Sequence, residues 1–110
     1  MSNMSQRAGF DTERSKTGDF SASFQTLGSP LEHNPVIMIF DNQTTVSVAV
    51  SIDGTNTWKT FSAGEALVLD LRAANGIASN YTVDAGTQFY VQGSATAGSN
   101  SFRLSILYAR

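Results

Sequence analysis

The chain of 110 residues contains no cysteine, two prolines and a single histidine, and its net charge is only −2. Without cysteine there is no disulfide framework and no thiolate metal centre. One histidine, His33, cannot supply a multi-histidine metal site. Placed beside Pro35 after an unpatterned segment, it is also a poor platform for a Ser-His-Asp arrangement. A weakly acidic balance offers no basic field for nucleic acid or an anionic membrane. No run approaches the roughly 20 apolar residues of a membrane span. Met1–Lys16 is polar, with Arg7, Asp11, Glu13 and Arg14, and lacks the apolar stretch of a signal peptide. A soluble protein is expected, with no nucleic acid, membrane or cofactor as partner. No G-x-x-x-x-G-K pattern marks a phosphate loop, and no internal repeat of 20–50 residues is present.

What is present is strand pattern. Hydrophobic residues at 41% against 15% charged describe one globular domain with a Ser/Thr/Asn-rich surface. In Thr45–Ile52, Val46, Val48, Val50 and Ile52 alternate with Thr45, Ser47, Ala49 and Ser51, the period of a half-buried strand. Asp53-Gly54-Thr55-Asn56 is a turn signal, Thr57–Phe61 a return strand, and Ala63-Gly64-Glu65 a second turn. Leu67, Leu69 and Leu71 alternate inward. Val36–Phe40 is continuously apolar and predicts a strand covered on both faces. Arg72–Ser79 reads as a loop bending at Asn75-Gly76, Tyr81–Val83 as a short extended piece, and Asp84-Ala85-Gly86 as a turn. Phe89 and Val91 mark another strand, and Gly93–Asn100 a flexible connection. Phe102, Leu104, Ile106 and Tyr108 alternate in a last strand that should sit mid-sheet. Six or seven short strands with no amphipathic helix predict an all-β fold, a small antiparallel β-sandwich or jelly-roll-like barrel over residues 35–110.

Residues 1–34 differ in kind. Their apolar residues (Met4, Phe10, Phe20, Phe24, Leu27, Leu31) are widely spaced, and neither a helical nor a strand period persists. Such a segment cannot offset its own ordering entropy. The reading favoured here is an extended N-terminal arm laid along neighbouring subunits, with Phe10, Phe20, Phe24, Leu27 and Leu31 as interface anchors. The competing reading folds the arm back on its own sandwich. Gly28-Ser29-Pro30 and Asn34-Pro35 punctuate the passage into the first strand.

Candidates for chemistry are few. Asp53, Glu65, Asp70 and Asp84 could make a glycosidase pair or a calcium site. Yet Asp53, Glu65 and Asp84 stand beside glycine-containing turns, where local hydrogen bonding explains them better. Asp70 and Arg72 share one side of a strand and could form an ion pair. Trp58, Tyr81, Tyr90 and Tyr108 could stack on a sugar, with Trp58 as the exposed ring, although aromatics alternating along strands more often pack in cores and interfaces. No catalytic residue stands out, and the chain is expected not to be an enzyme.

Asp53-Gly54-Thr55, Ala63-Gly64-Glu65-Ala66-Leu67-Val68-Leu69-Asp70-Leu71-Arg72, Ala85-Gly86-Thr87-Gln88-Phe89-Tyr90-Val91 and Ser105-Ile106-Leu107-Tyr108 together resemble small β-sandwich virion structural proteins of tailed bacteriophages. The resemblance spans about residues 36–110. It implies a non-enzymatic particle protein that forms a homo-oligomer among other virion proteins, whether the major capsid protein or neck and tail proteins. With an arm that ties subunits together, a capsid decoration or cement protein is the first expectation. A neck or tail protein, or a carbohydrate- or receptor-binding module, is the alternative.

Overall fold

The computed structural model describes residues 8–17, 20–71, 83–93 and 101–109. Every element among them is a strand: β1 (Ala8–Phe10), β2 (Arg14–Thr17), β3 (Gln25–Thr26), β4 (Pro35–Asn42), β5 (Val48–Ser51), β6 (Lys59–Phe61), β7 (Ala66–Asp70), β8 (Tyr90–Gly93) and β9 (Ser101–Ala109). All pairings are antiparallel. The first sheet runs β7–β4–β9, with β1 and β2 both laid along the far side of β9. The second runs β3–β8–β5–β6. The two pack as a sandwich, so the all-β expectation holds, and β9 is the mid-sheet strand its alternation predicts.

Period-2 patterning explains which side chains meet. Met38 and Phe40 of β4 pair in register with Ile106 and Leu104 of β9, and all four point inward. Val48, Val50 and Val91 face them from the second sheet, fully buried. Phe40 lies 5.5 Å from Phe61 and 5.8 Å from Phe89, and Phe61 lies 5.4 Å from Phe102, so an aromatic seam joins the layers. Each such side chain contributes roughly 1.5–3 kcal/mol by leaving water. Asn42, at the end of β4, is also fully buried. Its Nδ2 donates to the carbonyls of Val46, Phe61 and Ser62, and its Oδ1 accepts from Thr44, so every polar atom is satisfied where the chain crosses between sheets.

Two strand expectations are corrected. Val36–Phe40 is not covered on both faces: Met38 and Phe40 go in, while Ile39 is 41% exposed, because none of the described residues covers the outer side of the first sheet there. Ile52, placed inward with Val48 and Val50, is 55% exposed, since β5 ends at Ser51 and the chain has left the pleat. Residues 72–82 and 94–100, and with them the Asn75-Gly76 bend and most of the Tyr81–Val83 piece and of the last connection, lie outside the described residues.

The leader is the larger revision. β1 and β2 complete the first sheet against β9. Beyond them the main chain of residues 27–34 runs beside residues 85–89: Leu27 N–H donates to Phe89 O, Leu31 N–H to Thr87 O, and Gly86 N–H to Leu31 O. The described leader folds back on its own sandwich. The reason is that Phe20, Leu27 and Leu31 find apolar partners at the sandwich edge, where they are 3%, 0% and 3% exposed.

Candidate functional site

The densest polar arrangement sits where the leader meets β9. Arg14 pairs in register with Leu104, so its side chain enters the sandwich rather than solvent, and it is the largest fully buried side chain. Asp11, three residues earlier, meets it at 2.9 Å, both side chains being essentially sealed from water. The guanidinium donates further to Ser29 O (3.0 Å), Pro30 O (2.6 Å) and Thr12 O. Gly28 permits this: it holds φ at 65°, and a Cβ there would lie 2.6 Å from the Arg14 stem. Asp11 accepts from Thr12 N–H (2.7 Å) at Oδ1 and from Glu32 N–H (3.0 Å) at Oδ2. Burial, the strongest single influence, pushes its pKa up. The hydrogen bonds from Arg14, Glu32 and Thr12 together with the Arg14 charge outweigh it and hold the carboxyl down at about 2.

Beside this pair, His33 Nδ1 approaches Asp11 Oδ2 at 3.5 Å without a hydrogen bond, and the ring stacks flat on Tyr108 at 3.6 Å. An open pocket of about 500 Å³ is lined by Glu32, His33, Asn34, Ala85, Tyr108 and Ala109. An aspartate behind a histidine resembles two-thirds of a catalytic triad, but no serine, threonine or cysteine lines the pocket. Asp11, Glu32 and His33 also bring ligand atoms within 4.8 Å of one another. The donor set does not fit a cation, because Asp11 is already filled by two N–H groups and a guanidinium stands 2.9 Å away. The arrangement holds a chain segment in place.

Two of the other carboxylates, Asp53 and Glu65, behave as turn chemistry. Asp53 Oδ1 accepts the N–H groups of Thr55 and Asn56 at 2.8 Å, and Oδ2 accepts Asn56 Nδ2 at 2.9 Å. Led by the Asn56 N–H, these bonds hold its carboxyl well below the usual range. Glu65 accepts Ser62 N–H at 2.8 Å and pairs with Lys59 at 3.0 Å, which lowers its pKa in the same way. Asp84 stands exposed beside Gly86. The ion pair considered for Asp70 has its other half, Arg72, outside the described residues.

Among the proposed arm anchors, Phe20, Leu27 and Leu31 are spent in the chain's own core, Phe24 is half-buried, and Phe10 alone is 80% exposed. Trp58 is 44% exposed and leans on Phe40 at 5.3 Å and Phe61 at 6.4 Å, both buried. Tyr108 is occupied by His33, Tyr90 lies under the turn at Gly54, and Tyr81 lies outside the described residues, so the described rings make no shared platform. Sequence reasoning missed the outward Ile39, and Arg14 and Asp11 as a buried pair. The one available signal was their opposite charge at a spacing of three.

No family model matches the chain, and no curated protein sequence matches it. Among solved structures, the chain is similar to the Dit protein of phage SPP1, described as a paradigm of the hub adsorption apparatus in phages infecting Gram-positive bacteria. The TM-score is 0.41 and the identity 10%, over 92% of this chain and 49% of that one. This chain thus spans about half the length of that protein.

Proposed function

We propose that the chain is a non-enzymatic structural component of a bacteriophage particle, working among neck or tail proteins rather than as a capsid cement. One observation carries the choice between the two locations. A cement role required Phe20, Leu27 and Leu31 to reach neighbouring subunits, and these side chains are closed inside the chain's own core. What remains for partners is a body with exposed sheet faces and edges, suited to stacking in an assembly rather than to stapling across one. A non-enzymatic role is supported by the polar groups described above, which are engaged in holding turns and the leader. The resemblance of residues 36–110 to phage virion sandwiches supports the class of particle. The adsorption-hub description of SPP1 Dit is of the same kind.

Particles assembled without this chain test the reading. Filled capsids with incomplete tails, or particles that fail to adsorb, are the expected outcome. Normal tails and adsorption, together with capsids that release DNA on mild heating, would return the chain to capsid decoration.

A further inference from the structure

The two outer faces of the sandwich differ. On the second sheet, Ala49 lies in register between Thr60 and Gln92, and Tyr90 pairs with the buried Ser51, so the outward row around Ala49 is largely polar. On the first sheet, the outward positions of β9 and β4 match Leu107 with Ile37, Ser105 with Ile39, and Arg103 with Asp41. β1 adds Phe10 beside Leu107, and β7 adds Val68 beside Ile39. Phe10, Leu107, Ile37, Ile39 and Val68 therefore form one continuous apolar strip across four strands, three of them 80%, 41% and 61% exposed. Contiguous exposed apolar patches of this kind mark contact surfaces.

We infer that this face is where two copies of the chain pack, sheet on sheet, about a two-fold axis running along the strands between β4 and β9. The occupant follows from charge and register. Such an axis exchanges β4 with β9 and keeps the rows. It therefore sets Arg103 of each copy opposite Asp41 of the other and Leu107 opposite Ile37, twice each, as a two-fold interface demands, while Phe10 at the rim of the same row comes to lie at the Asp70 end of the partner's row. Among the described residues no ion pair within 4 Å joins Arg103 to a carboxylate, and Asp41 accepts only Gln43 Nε2 at 2.8 Å. The area suffices as well. Four strands about 4.8 Å apart, with β4 eight residues long at about 3.3 Å each, cover roughly 500 Å² per copy, or about 1,000 Å² for a pair. That is the lower bound for a specific interface and points to a reversible dimer. The inference does not rest on the phage reading.

Sedimentation of the full chain over about 1–500 µM, a range that spans weak to moderate association, reads the result directly. The wild type should pass from monomer to dimer, and Ile39→Thr with Val68→Thr, both β-branched and exposed, should weaken dimerisation at least tenfold with an unchanged near-UV spectrum. Arg103→Asp alone and Asp41→Arg alone should each be monomeric, because each sets like charges opposite. Mixing these two single variants should restore a dimer, since every opposed pair is then of opposite sign. A monomeric wild type throughout the range overturns the inference, as does a mixture that stays monomeric. A wild type that is monomeric, yet loses attachment to particles on Ile39→Thr, would assign the face to another virion protein, which defeats self-packing and leaves the particle role standing.

Discussion

Asp11 and Asp53 are both carboxylates held well below the usual range, and they are held by opposite means. Asp53 is solvent-exposed and takes its donors from Thr55 and Asn56, two and three residues ahead. Asp11 is sealed from water and takes its donors from Thr12 and Arg14, one and three residues ahead, and from Glu32, 21 positions away. The first arrangement shapes one turn. The second joins three separated pieces of chain (β1–β2, residues 28–32 and β9) at a single buried charge. A depressed carboxylate therefore says little alone; what matters is whether its donors are all local and wet, or lie in a dry site and include one from a distant part of the chain.

That contrast can be broken experimentally, and the largest effect belongs to the buried pair. Arg14→Met should cost about 3–5 kcal/mol, because it strands Asp11 as an uncompensated buried charge. Adding Asp11→Asn should recover part of the loss in denaturant melts. A single-variant cost below about 1 kcal/mol, the range of exposed pairs, would show that water reaches the site. The next effect is in pH. The folded pKa of Asp11, about 2, lies below its ordinary 3.8, so its contribution is fully present above about pH 4 and is lost as pH falls through about 2. Stability measured from pH 5 to pH 2 should fall more steeply in the wild type than in Asp11→Asn. Equal slopes would remove Asp11 from the account. The smallest effect is at Asp53. Asp53→Ala should leave the melting temperature nearly unchanged while hydrogen exchange at the Thr55 and Asn56 amides speeds up, and global loosening of exchange would erase the distinction drawn above.

The same contrast explains what could be read in the sequence. Asp53-Gly54 announced its turn because everything it bonds is within three residues, and the alternation of Phe102, Leu104 and Ile106 announced β9 because the period is a local property. The leader gave no such signal. Phe20, Leu27 and Leu31 follow no period, since none of them lies in a strand that would carry them into the core at a regular spacing, and the need for Arg14 is set by the carbonyls of Ser29 and Pro30. Ile39 was equally hidden, whereas Val68 stands outward as the inward alternation of Leu67, Leu69 and Leu71 implies. In the uniformly apolar run Val36–Phe40 both pleat faces look alike, so only the assembled sheet tells which one lacks a cover. The apolar core was thus largely legible, while the buried polar cluster and the outward strip depended on contacts between distant parts of the chain.

β9 pairs with β1, β2 and β4 at once, setting Ala109 against Ala8. During synthesis, then, the strands of the second sheet can all emerge before β9 has been made, with Val48, Val50 and Val91 still lacking the layer that shields them. Closure waits for the latest-translated of the described strands, and the pairings it must find span nearly the whole described length. Slow, ribosome-delayed completion is the natural outcome for such long-range pairing, and the half-made body is what holdase chaperones would meet.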